Sequence, residues 1–429
     1  MTPTGRPLVL LVGIVFEGYR SYLLDGVGSV ADVWLLAEAE PAPSVAEKLV
    51  GHTLVDVFDI PALVAAAQEV AGRRRVTGVL SWDELKMSGT AHIARALGLP
   101  GVAPDVVDRC RDKHRTRTAL AVAGVPQPAS EVVSSAEEAG AAADRIGYPV
   151  VLKPRDLGAS MGVIRVDSAR DLAAGYAHTR AARVGPVPYR SDGVLVEEYV
   201  GGPEVSVDSW VLDGRTHPLF TARKTTGYPP YFEETGHVVD GRGPGEDDPE
   251  LHRVVTAAHE ALGFDHGMTH VELRRARDGW RVIEVNCRLG GDLIPMLGQA
   301  ATGVDAGAVA TLLACGLEPD PRPDRGRVAA VRFLYPDAPC EVDRVEVDPD
   351  RLPAGIELAT GLPRPGTTIS PPPEGHVWGR YALLMAVSDT PEGCAAALDA
   401  AQPAVVLHAR TRSVETGSAQ GLANDYIKP

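Results

Sequence analysis

The first third of the chain alternates short, dense apolar runs with longer stretches of helical spacing. Residues 7–15, 30–37, 54–59 and 78–82 are compact runs rich in Val, Leu and Ile, and each reads as a buried strand. Residues 61–72 and 85–97 instead carry their apolar positions three and four apart, as an amphipathic helix requires. Strands alternating with helices of that length predict an α/β fold opening on a parallel, doubly wound sheet. No G-x-G-x-x-G follows the first strand, which argues against a dinucleotide site. Residues 13–18, in the first strand–helix connection, could line a substrate cleft.

The middle of the chain changes character. Residues 147–154 form a buried strand that ends in Lys153, followed by a loop, 155–162, and a second strand, 163–166. Gly158 and Gly162 permit positive φ and close approach, while Ala159, Ser160 and Met161 lie between them. Ser160 adds a hydroxyl to the exposed backbone N–H groups, so the loop could close over phosphates, with Lys153 as a point charge. It is not a Walker loop, because G-x-x-x-x-G-K-[ST] is absent. An ordinary hairpin turn is the competing reading. Residues 193–200 are a further strand, closing on Glu197-Glu198-Tyr199-Val200, whose backbone groups could read an adenine edge. Glu204, just past a Gly-Gly-Pro turn, could accept from ribose hydroxyls. A solvated acidic strand end would look the same.

The runs 270–274 and 281–288 carry the most chemistry. Glu284 and Asn286 sit two apart on a strand and so share a face. A short turn at 275–279 would bring Glu272 beside them as a hairpin. Two carboxylates and an amide make a hard-oxygen set suited to Mg²⁺, with room left for nucleotide phosphates. Arg288, two residues on, is placed to meet a phosphoryl oxygen. The alternative is a solvated acidic sheet face.

Composition narrows the class. A chain of 429 residues with 45% hydrophobic content can fill two or three domains, and a formal charge of −15 argues against a nucleic-acid partner. Five scattered cysteines without C-x-x-C spacing read as reduced thiols, which suggests a cytoplasmic setting. The apolar run at 8–16 is too short to span a bilayer, so no membrane partner is expected. Lys113 lies in a basic run, 109–117, whose arginines read as a solvated helix face. Beyond a Pro-, Asp- and Arg-rich linker at 319–327, residues 328–334, 356–358 and 380–387 look like strands and 391–401 like a helix. The polar residues from about 413 read as a frayed end.

Taken in order, Asp112-Lys113, Val150–Pro154 with its 158–162 loop, 196–200 with Glu204, and Glu272 with Glu284, Asn286 and Arg288 resemble the ATP-grasp superfamily. The resemblance covers roughly 76–310. It implies an N-terminal Rossmann-like domain (1–110), a small lid lobe carrying the phosphate loop (111–197) and a large antiparallel lobe with the metal site and a C-terminal extension (198–429). It implies ATP phosphates on Lys113, Lys153 and the loop Gly158, Ala159, Ser160, Met161 and Gly162. Adenine would lie on Glu197, Glu198, Tyr199 and Val200, and ribose on Glu204. Two Mg²⁺ ions, replaceable by Mn²⁺, would sit on Glu272, Glu284 and Asn286, with Arg288 catalytic.

Within that superfamily, residues 223–237 and 288–295 resemble the L-amino acid ligase branch. That likeness implies substrate contacts from Glu234, His237, His270, Arg288, Gly290 and Gly291. It implies a carboxylate–amine ligase that forms a peptide bond through an acyl phosphate, with amino acids as small-molecule partners; such ligases are often homodimers. A biotin carboxylase-type subunit and a non-catalytic ATP-binding regulator are the rival readings.

Overall fold

A computed structural model describes residues 5–13, 19–183, 192–242 and 248–411. Most of the 13–18 connection and all of the polar tail from 413 therefore lie outside the described residues.

The opening sheet is parallel, with strands β1 (Leu8–Val12), β2 (Asp32–Ala37), β3 (Gly51–Leu54) and β4 (Val76–Leu80) in the order β3-β2-β1-β4. Alternate residues feed opposite faces. Val9, Leu11 and Leu35 pack in one cluster with α1 (Leu23–Val30), whereas Leu10, Val12 and Leu36 pack in another. This two-sided burial is why β1 reads as an unbroken apolar run. After the short α2 (Pro43–Ala46), helices α3 (Ile60–Arg73) and α4 (Met87–Leu97) cover the second face, so the sheet is doubly wound. The expected third strand at 54–59 is corrected: the strand ends at Leu54. Asp56 accepts from the Phe58 N–H and Asp59 caps α3 through the Ala62 N–H, so that stretch is a turn and a helix start.

Helices α5 (Pro104–Arg111) and α6 (Lys113–Val122) lead to a four-stranded antiparallel sheet: β5 (Ser130–Val133), β6 (Val150–Pro154), β7 (Ile164–Val166) and β8 (Val194–Glu198), ordered β5-β8-β6-β7. Helices α7 (Ala136–Ile146) and α8 (Ala169–Ala181) pack on one of its faces around Val150, Leu152 and Val196.

The largest sheet has eight antiparallel strands. These are β9 (Glu204–Leu212), β10 (Arg215–Gly227), β11 (Glu233–Asp240), β12 (His266–Ala276), β13 (Gly279–Asn286) and β14 (Val328–Leu334), with β16 (Ile356–Gly361) and β18 (Ala382–Ser388). Strands β15 (Cys340–Val347), β17 (Thr368–Ile369) and β19 (Val405–Thr411) make a small separate sheet that the sequence pattern does not predict. Helix α9 (Pro249–Leu262) packs with α5 and α6 on one face of the large sheet, against Val205, Val207, Val271, Leu273 and Val285. The alternating residues therefore face the other way: Glu204, Ser206, Asp208, His270, Glu272, Glu284 and Asn286. That polar face is the floor of the candidate site. Helix α10 (Ile294–Thr302) packs on β10, β11 and β14, and α11 (Ala306–Ala314) joins the sheet floor to β4 and α1. Helix α12 (Pro391–Ala401) packs behind β14 and β18. All five cysteines are unpaired, and Cys287 is buried as a packing residue.

Leu297 on α10 is fully buried in the cluster joining the first and largest sheets, whereas Val122 on α6 is 86% exposed. Leu297→Ala should cost about 2–5 kcal/mol and lower the unfolding temperature clearly, while Val122→Ala should leave it unchanged. Equal behaviour of the two in thermal unfolding would contradict this packing.

Candidate active site

Strands β12 and β13 form the hairpin expected from the alternation, with Glu272 directly opposite Glu284 and His270 opposite Asn286. The turn is tight against its neighbour: a Cβ on Gly202, at φ +100°, would stand 2.2 Å from the Arg275 carbonyl. Only glycine fits there. The hairpin forms one wall of a cleft whose opposite wall is β6, β8 and the loop after β6.

Above the carboxylates lie two lysines. Lys113, the first residue of α6, sits 3.3 Å from Glu284 and donates to the Leu157 carbonyl at 2.6 Å. Its neighbour Asp112 caps α6 through the His114 N–H and also pairs with Arg155. Lys153 lies 2.6 Å from Glu197 and is buried. Burial pulls the Lys153 ammonium below its ordinary value, with the Glu197 carboxylate working against that.

Glu197 is a structural ion rather than an exposed strand end. It is 2% exposed, and Arg117 grips it side-on through Nε (2.8 Å) and Nη2 (3.1 Å). Burial pushes its carboxyl up, but Arg117 and then Lys153 outweigh it and hold it at about 2. Arg117 also donates to the Val282 and Ile283 carbonyls of β13. The surface reading of the 109–117 arginines is thus corrected for Arg117, which is 3% exposed, and for Arg111, whose side chain is 8% exposed and lies 3.9 Å from Glu84. The residues Lys113, Arg117 and Leu120 share one buried helix face, and that spacing was the available signal.

The remaining nucleotide-side residues divide. The Glu198 N–H donates to the Ala129 carbonyl, the Tyr199 N–H to Pro149, and Arg274 donates to the Val200 carbonyl. Much of the backbone expected to read adenine is therefore engaged; the Val200 N–H makes no hydrogen bond among the described residues. Gly158, Ala159 and Ser160 line the cleft. Positive φ falls on Ala159, Ser160 and Gly162 rather than on Gly158. Met161 packs on the cleft residue Leu157 without lining the cleft itself, and Gly162 is a packing glycine whose Cβ would meet Ala182 at 2.5 Å.

The floor is an ionic network centred on Lys224, which the sequence reading did not single out. Its side chain is 1% exposed and lies 2.7 Å from Glu234, 3.0 Å from Glu272 and 3.3 Å from Glu204. Burial would lower the ammonium, yet Glu234, Glu272 and Glu204 together raise it well above normal. Glu204 also pairs with Arg274 at 2.8 Å. Glu272 is pushed up by burial, but Lys224 and the hydrogen bond from His270 hold it well below the usual range. Glu234 goes the other way, raised by burial despite Lys224 and His237. Hard-oxygen donors on one face, two of them carboxylates, fit a divalent cation at Glu272, Glu284 and Asn286.

At the far end Arg288 pairs with Glu84 at 3.0 Å, and its Nη1 donates to the Leu289 carbonyl. His237, Gly290 and Gly291 belong to a neighbouring cluster organised by Asp292, another residue not singled out. Asp292 accepts from Tyr19, His237 and Arg380, and it lies at φ +48°. Burial raises its carboxyl, but Arg380 and His237 bring it well below normal. His270 is held by Asp208 at 2.5 Å, and Asp208 also accepts from the Gly290 N–H.

The chain is similar to several known proteins. An ATP-grasp domain family matches residues 146–296. The protein y4rH of Sinorhizobium fredii is 32% identical over 385 residues, 85% of this chain and 75% of that protein. Alanine–anticapsin ligase of Bacillus subtilis is 27% identical over 274 residues, and the match spans just over half of each protein, 59% of this chain and 57% of the ligase. The crystal structure of L-amino acid ligase from Bacillus licheniformis superposes with a TM-score of 0.78 at 21% identity, covering 96% of this chain and all of that one. No described helix is long and apolar enough to cross a membrane.

Burial lowers the His270 imidazolium, but Asp208 overrides it and raises the group to about 9. An unfolded imidazole titrates near ~6.5, so this pair adds stability in full below that pH and loses it as pH rises through about 9. The contribution is on the order of 3 kcal/mol. Wild type should lose unfolding temperature between pH 6.5 and 9.5 more steeply than His270→Gln. Parallel slopes would rule out the charged pair.

Proposed function

The chain belongs to the ATP-grasp superfamily, and from that premise we propose that it is an ATP-dependent carboxylate–amine ligase joining two amino acids. The observation that carries this reading is the juxtaposition across one cleft of Lys113 and Lys153 with Glu272, Glu284, Asn286 and Arg288. Two cations and a hard-oxygen set facing each other suit triphosphate chemistry, and an arginine at one end suits a phosphoryl group in transfer.

Tyr199 and Val200 would hold the adenine of ATP, Glu204 its ribose, and Lys113, Lys153 and the 158–160 loop its phosphates. Glu272, Glu284 and Asn286 would hold Mg²⁺, which when bound neutralises the phosphate oxygens. A substrate carboxylate attacks the γ-phosphorus, the bond to the β-phosphate oxygen breaks, and ADP leaves. Lys113, Lys153 and Arg288 spread the charge that develops. The acyl phosphate then meets an amine, whose nitrogen forms the amide bond as phosphate departs. Glu234, with its raised carboxyl and its place beside Lys224, is suited to receive an α-ammonium or its proton. The likeness of residues 223–237 and 288–295 to L-amino acid ligases favours amino acids as both partners.

Phosphate release should be measured with ATP and Mg²⁺ across pairs of the common amino acids, with product masses from positive wells. Release that requires two amino acids, with a product at their summed mass less water, is the expected result. Release that depends on bicarbonate instead would replace the ligase reading with a carboxylase one. Glu284→Ala should lower turnover by about three orders of magnitude, since a divalent clamp contributes several kcal/mol; turnover near the wild-type rate would sink the assignment of that face.

A further inference from the structure

Arg20 sits in the turn just before α1, 7% exposed, and donates through Nη1 to the Gly290 carbonyl at 2.9 Å and the Asp292 carbonyl at 3.1 Å. Its other two nitrogens, Nε and Nη2, are buried without a hydrogen-bond partner. This sets it apart from the other buried cations among the described residues. Lys86, Lys113, Arg117, Lys153, Arg274 and Arg380 each have a carboxylate oxygen within 2.6–3.3 Å, and Arg20 has no ion pair. A buried guanidinium without a carboxylate is costly and calls for a reason.

The unpartnered edge is chemically specific. Nε and Nη2 form the side of the guanidinium that takes a carboxylate with two parallel hydrogen bonds. Three other arginines of this molecule use that same edge in that way: Arg117 on Glu197, Arg145 on Glu131 and Arg155 on Asp112. Arg20 is also braced on the loop that follows Arg288, and a Cβ built on Gly291 meets nothing within 4 Å among the described residues. We infer that Arg20 binds a carboxylate of a substrate, side-on through Nε and Nη2, next to the Gly290–Asp292 loop. The inference rests on the ligase reading for the identity of that substrate as an amino acid. Both nitrogens are shielded from bulk solvent, so admission needs a local opening around Arg20. Once enclosed, the charge-assisted pair is bound where such bonds are strongest.

Two readouts separate this site from the ligase reading. In the first, thermal unfolding of the full chain with ATP and Mg²⁺ is followed against α-amino acids and against their primary carboxamides. Wild type should be stabilised by at least one acid and not by its amide, and Arg20→Met should fold and lose that difference, with Arg20→Lys intermediate. In the second, steady-state ADP release by Arg20→Met should show KM for one amino acid raised about 10- to 100-fold, the size expected for a lost charge-assisted pair. KM for ATP should stay within about twofold. Whichever amino acid shows the change, the activated acid or the amine donor, is the one Arg20 holds. If wild type releases no ADP with any pair yet loses acid-dependent stabilisation on Arg20→Met, the site stands and the ligase reading falls. If both amino-acid KM values are unchanged, or acid-dependent stabilisation survives in Arg20→Met, Arg20 is a loop brace alone and the inference is overturned.

Discussion

The buried carboxylate of Glu197 is the constraint on which the cleft depends. It sits on β8 of the four-stranded antiparallel sheet, and its two partners come from different elements: Lys153 from the neighbouring strand β6 and Arg117 from α6, outside the sheet. Arg117 then reaches the β13 backbone at Val282 and Ile283, directly before Glu284. One acid therefore ties Lys153 of one wall to the strand that carries Glu284 and Asn286 on the other. Removing Glu197 would leave two buried cations in close proximity, a far larger penalty than loss of a surface pair. The arrangement fixes the separation of the two walls before any ligand arrives, which is the preorganisation that phosphoryl transfer needs.

The sheet floor meets a related electrostatic problem by a different route. Glu204, Glu234 and Glu272 crowd one face, and the charge is tolerable because Lys224 stands among them and His270 and His237 flank them. The balance is uneven, and the unevenness is chemically useful. Glu272 is kept ionised, whereas Glu234 is raised above its ordinary value by burial. Asp292 repeats the pattern in the loop after Arg288, where Arg380, His237 and Tyr19 converge on one carboxylate at a strained backbone position. Tyr19 and Arg20 come from the first sheet's connection and Arg380 from just before β18. The loop after Arg288 is thus held by both ends of the chain.

Sequence periodicity revealed those parts of the fold that rest on local patterning. The two-residue alternation through 270–286 was enough to put Glu272, Glu284 and Asn286 on one face, and the apolar run of β1 was enough to bury it. Leu54–Asp59 misled because its apolar residues are interrupted by Asp56 and Asp59, whose side chains bond the following N–H groups and end the strand. Arg117 was legible in the helical spacing of α6 but was read as part of a basic run. Lys224, Asp292, Arg20 and Arg380 were not legible in the same sense. Their partners lie 10 to 361 residues away along the chain: strand pairing within the largest sheet brings Glu204, Glu234 and Glu272 to Lys224, and the packing of the first sheet on it brings Tyr19 and Arg20 to the loop of Asp292. Met161 and Gly162 show the converse, since their place in a loop pattern concealed side-chain packing against Leu157 and Ala182.

The central claim is that a substrate carboxylate is phosphorylated before an amine attacks it. Oxygen transfer tests it most directly: the acid substrate is supplied with both carboxylate oxygens as ¹⁸O, and the inorganic phosphate formed is analysed by mass. The account predicts one ¹⁸O in each phosphate released, because the carboxylate oxygen that attacks the γ-phosphorus leaves with it when the amide forms. Phosphate free of label, with product still accumulating, would contradict an acyl phosphate and with it the role of the cleft in phosphoryl transfer.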